Sequence, residues 1–401
     1  MVDADDTEFA LARHRDWPES FPATGAWRPG DPVGARRFHR LDRPLALEGG
    51  GVLHDVDIAY ETWGTLDDDA ENAILICHAL TGDAHVTGGG GGTYTAEGWW
   101  SRIVGPGLAI DTDRWFVVCA NVLGGCQGTT GPASLDPGTG QPYGSSFPQV
   151  TNRDIVRTQA RLADALGIDR WFNVVGGSMG GMMVLEWAAM YPGRVRSIAP
   201  IATTVAASPQ QIAWSAVGRL SIANDVHFHG GDYYDCEIGP GSGLAVAREI
   251  GLIHYRSGAE FDERFGRDPI DRLDRFDQWG RFQVEGYLDH HGKKFPTRFD
   301  ANSYIVLNRA MDLHDLGRGR GGPAAALTRF AGPGMTASVT SDFLYPAPQQ
   351  VEIASVLNAD GRWCEHHVID SLYGHDGFLV EHDKLGPMLS DFFAKVIADT
   401  P

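Results

Sequence analysis

Long apolar stretches are missing from this chain. No run approaches the roughly 18 uninterrupted apolar residues that a membrane-spanning helix needs. Basic charge is also short. Against 52 acidic residues stand 33 basic ones, a formal net charge of −19. Such a balance repels a phosphate backbone and excludes a general nucleic-acid binder, but leaves room for a local basic pocket that takes a small anion. Lysine occurs only at Lys293, Lys294, Lys384 and Lys395, a bias of usage that carries no functional signal. Cysteine is sparse and odd in number: Cys77, Cys119, Cys126, Cys236 and Cys364. No CxxC or HExxH spacing occurs, so no metal site is expected. Most of the five sit in apolar runs, which predicts buried free thiols in a reducing cytoplasm. The opening Met-Val-Asp-Ala-Asp-Asp is acidic and lacks the apolar core of a secretory or transit segment. What is present is ordinary. The 401 residues are 43% hydrophobic and 21% charged, the make-up of a globular chain rather than a disordered one. The length fits one large domain or a domain with a sizeable insertion.

Residues 1–40, rich in Pro, Gly and Trp, have no period and read as an irregular surface arm. From Val52 to Tyr60 the pattern alternates like a half-buried strand. Ala73–Cys77 and Trp115–Ala120 are short solid apolar runs, the signature of fully buried parallel strands. Arg153–Leu166 has helical spacing, with Ile155, Leu162, Ala163 and Leu166 on one face. Trp171–Val175 follows as a strand, then a Gly-rich turn, a helix over Met179–Met190 and a strand over Arg196–Ala202. This alternation predicts an α/β fold, a mostly parallel sheet flanked by helices. It stops between about 205 and 325, where helices are expected at Pro209–Ala223, Gly243–Tyr255 and Asn302–Met311. It resumes with a strand at Met335–Thr340, a helix at Pro348–Leu357, a strand at Glu365–Ile369 and a helix at Phe378–Val396. The catalytic core is thus expected at 41–204 and 326–401, with 205–325 inserted as a helical lid. The glycine run 88–92 reads as a flexible loop.

The strongest chemical signal is Gly176-Gly177-Ser178-Met179-Gly180. It fits G-x-S-x-G, follows a predicted strand and opens a predicted helix, as a nucleophile elbow requires. A plain Gly-rich turn is the alternative. Neither the G-x-G-x-x-G spacing nor a Walker lysine is present. A serine hydroxyl needs a base, and the base needs an orienting carboxylate. In the order Ser, acid, His, the candidates are Asp342, just after a late strand, and His375, just after the last one. His78, His85, His254, His314, His366 and His367 compete. His366 and His367 lie inside a predicted strand and face the sheet. Asp342 has an alternative role as a helix N-cap before Pro346. An oxyanion needs two donors; the Met179 N–H and the Leu80 N–H, in the loop His78-Ala-Leu-Thr-Gly82, are the candidates. That loop is equally readable as a simple turn.

Several stretches together resemble the homoserine O-acyltransferase family of the α/β-hydrolase superfamily, its homoserine O-acetyltransferases above all. They are His78–Asp83, Gly98-Trp-Trp100, Ala109–Asp113, Asn121–Cys126, Gly131-Pro132, Gly176–Gly181, Gly230-Gly-Asp-Tyr-Tyr234, Ser341-Asp342 and Tyr373–Gly377. The resemblance runs from about Val52 to Leu389. It implies an α/β-hydrolase fold and a triad of Ser178, Asp342 and His375. It implies that Arg248 and Asp376 hold L-homoserine, and it matches Tyr234 to a family tyrosine near the pocket. Acetyl-CoA is then a co-substrate, with no bound cofactor. A homodimer through the lid is what the family implies. Without the resemblance, Arg248 reads as a solvated helix residue and Asp376 as a cap of the last helix. The long arm and the glycine-rich loop Gly88–Thr95 depart from the pattern. Rival activities are a succinyl-CoA-dependent transfer, an esterase, and an inert binding protein that keeps the triad.

Overall fold

The computed structural model describes residues 17, 18, 20–89, 97–270, 276, 278–359 and 362–399. Most of the glycine-rich loop falls outside them. Eight strands form the central sheet in the order β1-β2-β4-β3-β5-β6-β7-β8. They are β1 (Arg37–Arg40), β2 (Asp57–Trp63), β3 (Ala73–Cys77), β4 (Phe116–Ala120), β5 (Trp171–Gly177), β6 (Val195–Ile201), β7 (Gly334–Val339) and β8 (Cys364–Ile369). The β1–β2 and β2–β4 pairs are antiparallel; every pairing from β4 through β8 is parallel. Ala-Ile-Leu-Ile-Cys in β3 is wholly buried, as an interior parallel strand requires.

The register places the functional loops together. Gly177 of β5 pairs with Ile201 of β6, Ile201 with Ala337 of β7, and Val339 with Ile369 of β8. The segments that follow β5, β7 and β8 therefore leave the sheet at one edge, its carboxyl end.

Helices cover both faces. On one lie α1 (Asn152–Ala165) and α2 (Met179–Met190), in a core that includes Ile155, Leu162, Leu185 and Trp187. α1 begins with a capping box in which Thr151 and Asp154 satisfy each other's backbone donors. Between β6 and β7 come α3 (Pro209–Ala223), α4 (Gly241–Tyr255), α5 (Gly258–Phe265), α6 (Gln283–Lys294), α7 (Ala301–Asp312) and α8 (Pro323–Leu327). After β7, α9 (Ala347–Leu357) joins the first face through Ile353 and Leu357. After β8 come α10 (Gly377–Val380) and α11 (His382–Ala398). α11 buries Leu385, Leu389, Phe392 and Phe393 on the opposite face, beside Trp100 and Ile103. Each such side chain contributes about 1.5–3 kcal/mol on burial.

The helical block is tied back to the core by charge. Glu186 of α2, almost fully buried, takes Arg153 of α1 at 3.0 Å and Arg320, in the return segment, at 2.7 Å. Breaking such a buried cluster by removing one partner is strongly destabilising.

Several expectations need correction. The arm is not irregular throughout: Arg37–Arg40 is the antiparallel edge strand. The stretch read as one strand from Val52 to Tyr60 is two, because Asp55 takes a left-handed backbone (φ 51°) between a short Val52–Leu53 ribbon and β2. The last helix is split, with α10 separated from α11 at Glu381. α8 straddles the expected boundary at 325/326. All five cysteines are free, but Cys236 is exposed.

Candidate active site

Ser178 sits between the last residue of β5 and the first of α2, with φ 59° and ψ −124°. A side chain in that region is strained, and strain persists only where the surroundings enforce it. Here they do. The Ser178 N–H donates to the Ile201 carbonyl at 3.0 Å, and Thr203 Oγ1 donates to the Ser178 carbonyl at 2.8 Å. The glycines are required by contact. A Cβ on Gly180 would lie 2.1 Å from the Cys77 carbonyl oxygen, one on Gly177 2.3 Å from the Phe378 ring, and one on Gly181 2.6 Å from Thr203. The turn is the tight strand-to-helix elbow that the sequence predicts.

Asp342 follows β7 and is buried. Its Oδ1 accepts the N–H groups of Leu344 and Tyr345, both at 2.9 Å. Its Oδ2 meets His375 Nδ1 at 2.8 Å. The alternative of an N-cap does not hold, since Pro346 occupies that position ahead of α9. The His375 ring lies among Tyr345, Phe378 and Tyr255, at centroid distances of 5.0, 5.4 and 5.9 Å. Phe378 also abuts Gly177, so one ring spans the elbow and the histidine loop. The far nitrogen, His375 Nε2, is buried and has no hydrogen-bond partner among the described residues. The carboxylate–imidazole link is therefore formed, and the imidazole–serine link is open. Catalytic hydrogen bonds of an unliganded site often tighten only with substrate.

The loop after β3 is fixed by His78. Its Nδ1 contacts the Ala79 carbonyl at 2.8 Å, and its Nε2 accepts the Val122 N–H at 3.2 Å. That pair of bonds requires a neutral ring with the proton on Nδ1. Burial pushes its pKa down in the same sense. Among the described residues, neither the Leu80 N–H nor the Met179 N–H has an acceptor. Arg248, on α4, reaches this loop, with Nη1 3.4 Å from Thr81 Oγ1. Its guanidinium lies over the rings of Phe295 and Tyr255, at 5.4 and 5.8 Å. It forms no ion pair among the described residues. Asp376 lies next to His375, its side chain 16% exposed, and pairs with Arg256 Nε at 3.1 Å. It stands at the N-cap of α10 but makes no side-chain cap bond. Burial raises the Asp376 carboxyl, against the pull of Arg256, Arg248 and His375.

Tyr234 is placed differently from its companions. Its hydroxyl donates to Asp300 Oδ2 at 3.0 Å and accepts from Asn302 Nδ2 at 3.2 Å. Asp300 in turn caps α7 by accepting the Ser303 N–H. The contacts of Tyr234 are thus with the start of α7. Of the rival histidines, His366 bonds Thr336 and Ser338 on the sheet, and His314 bonds the Thr204 carbonyl. His85 pairs with Glu61 at 3.0 Å.

A narrow cavity lies between lid and core, reaching Leu80, Tyr255 and Tyr345. Trp214, His254, Tyr304, Asn308 and Asp312 also line it. It adjoins the aromatic wall of His375 rather than enclosing the Ser178 hydroxyl. Burial drives His254 down to about 3, with His375 and Arg248 adding to the effect, so this imidazole is neutral at physiological pH. Sequence reasoning missed Tyr255, Tyr345, Arg256 and the fixing role of His78. Only His78 carried a signal, as the first residue after a buried strand.

A family model described as the alpha/beta hydrolase fold matches residues 72–380. A homoserine O-acetyltransferase of Thermobifida fusca is 54% identical over 383 residues, 95% of this chain and 99% of that protein. One of Geobacter sulfurreducens is 48% identical over 89% of this chain and 96% of its own. Among solved structures, a homoserine O-acetyltransferase of Bacillus anthracis superposes with a TM-score of 0.83 at 27% identity, covering 89% of this chain and 97% of that one. Esterase E22 superposes at 0.82, also at 27% identity, covering 89% and 99%. On sequence and architecture together, the chain belongs to the homoserine O-acetyltransferase family of the α/β-hydrolase fold.

Proposed function

We propose that the chain moves the acetyl group of acetyl-CoA to the side-chain hydroxyl of L-homoserine, giving O-acetyl-L-homoserine for methionine biosynthesis. The observation that carries the chemistry is the buried Asp342–His375 pair, with Nε2 left unpartnered beside the Ser178 elbow. The names of the relatives supply the transferred group and the acceptor.

His375 Nε2 takes the Ser178 proton as Oγ attacks the thioester carbonyl. The N–H groups of Leu80 and Met179 hold the oxyanion; a donor of this kind is worth about 10²–10³ in rate. The intermediate collapses, His375 returns the proton to the leaving thiol, and CoA departs. Homoserine then enters with its carboxylate on Arg248, whose planar fork suits that group, and its ammonium on Asp376. His375 deprotonates the acceptor hydroxyl, which takes the acetyl group, and passes that proton to Ser178 Oγ as it leaves. Asp342 stabilises the imidazolium in both halves. The reaction so written calls for no metal or bound cofactor.

The names of the relatives favour acetyl over succinyl as the transferred group. The likeness to esterase E22 supports hydrolysis as a second reading. A thiol-release assay with acetyl-CoA separates the two. Transfer requires sustained CoA release only when homoserine is present, with parallel-line initial-rate kinetics; release undiminished without homoserine would identify a hydrolase.

Pairing of two chains through the lid belongs to the same proposal. Val217 and Leu220 of α3 are 52% and 58% exposed on one helical face, with Ile253 of α4 also exposed. Sedimentation at twice the chain mass, reduced to one chain by Leu220→Asp, is expected. A native monomer would remove this part. No helix among the described residues is long and apolar enough to cross a membrane, and the five free thiols support a reducing compartment.

A further inference from the structure

The proposed acceptor site has a weakness built into it. Arg248 and Asp376 carry opposite charges, and each is close enough for the arginine to pull on the carboxyl. If they paired with each other, both anchors for a zwitterion would be lost. The structure shows another arrangement. Asp376 forms an ion pair with Arg256, the residue directly after α4, whose Nε lies 3.1 Å away without the geometry of a hydrogen bond. Arg248 is held apart, between Phe295 and Tyr255 and against Thr81.

We infer that Arg256 is a positioning residue for the acceptor's ammonium, holding the Asp376 carboxylate ionised, oriented and apart from Arg248. This rests on the reading of Asp376 as the ammonium anchor and goes beyond it by naming what keeps that anchor competent. The geometry around Arg256 is fixed from two further sides: its Nη1 meets Glu260 of α5 at 3.2 Å, and its guanidinium lies 5.7 Å from the centroid of the Tyr373 ring. Its backbone is clamped on the histidine loop: a Cβ on Gly374, which has φ 62°, would lie 2.8 Å from the Arg256 carbonyl carbon. Arg256 is thus pinned to the loop that carries both His375 and Asp376.

The groups facing Asp376 are Arg256 and Arg248 from the lid and His375 and Asp342 from the core loops. Burial pushes the carboxyl up, and Arg256 is the largest force opposing it. The sign follows. Ammonium binding is present while Asp376 is ionised and is lost as pH falls through its pKa. Removing Arg256 raises that pKa further, so the acid limb of homoserine use moves to higher pH.

The test compares the native enzyme with Arg256→Met and Arg256→Lys. Arg256→Met is expected to raise KM for homoserine about tenfold or more and to move the acid limb of kcat/KM up by about 1–3 pH units. The initial burst of CoA release from acetyl-CoA should be unchanged, because that half-reaction uses no ammonium. Preference for homoserine over 4-hydroxybutyrate, which lacks the amine, should fall, whereas a merely structural defect would depress both acceptors alike. Arg256→Lys, which keeps a cation, should restore much of the acid limb. An unmoved acid limb with unchanged acceptor preference in Arg256→Met would overturn the inference, as would equal loss of burst and transfer. A normal KM for homoserine in Asp376→Asn would remove its premise while leaving the acyl-serine reading standing.

Discussion

Ser178→Ala is expected to lower kcat by about a million-fold, the loss seen when the nucleophile of such a triad is removed. The fold should survive. Among the described residues the hydroxyl makes no hydrogen bond that holds the elbow; the elbow is held by the backbone of residue 178, through the Ile201 carbonyl and the Thr203 hydroxyl. Alanine adopts the strained φ of 59° no more and no less readily than serine does. Circular dichroism and thermal midpoint should therefore match the native protein while CoA release, with or without homoserine, vanishes. A Ser178→Ala enzyme that still transferred acetyl groups at a substantial rate would show that the acceptor attacks the thioester directly, with His375 as its base and no covalent intermediate.

The second large effect is at Asp342. Asp342→Asn should lower kcat by about four orders of magnitude with little change in KM or stability. The reason is specific to this site. Oδ1 of residue 342 accepts two backbone N–H groups, from Leu344 and Tyr345. An asparagine must keep its carbonyl oxygen there, so its NH₂ is the group turned toward His375. Facing a donor, the imidazole must present a bare Nδ1 and carry its proton on Nε2. The nitrogen needed to take the Ser178 proton is then already protonated. Steady-state rates together with imidazole nitrogen shifts by NMR would check both halves. Retention of activity would mean that the carboxylate is dispensable for orienting the ring.

Much of this is legible in the amino-acid sequence. The elbow is, because its glycines answer contacts that admit no Cβ, and the helix Met179–Met190 begins and ends where its pattern does. Asp342 and His375 are, because parallel strands deliver their loops to one edge and chain order does the rest. β1 is not: Arg-Phe-His-Arg is largely exposed and shows no apolar face to the reader. Nor are α5 and α6. α6 reads Gln-Val-Glu-Gly-Tyr-Leu-Asp-His-His-Gly-Lys-Lys and buries only Tyr287, Asp289 and Gly292, too little for a periodic signal. The Arg256–Asp376 pair joins residues far apart in the chain and follows no motif. The hydrogen bonds of Tyr234 go to Asp300 and Asn302, contacts that no local pattern in the sequence announces.

The central claim, a serine that carries the acetyl group between two substrates, is tested most directly by intact-protein mass spectrometry after rapid mixing with acetyl-CoA alone. The account predicts a mass gain of one acetyl group, mapping to the peptide that holds Ser178 and discharged within one turnover when homoserine is added. Turnover with both substrates present but no acetylated protein at any mixing time would contradict it.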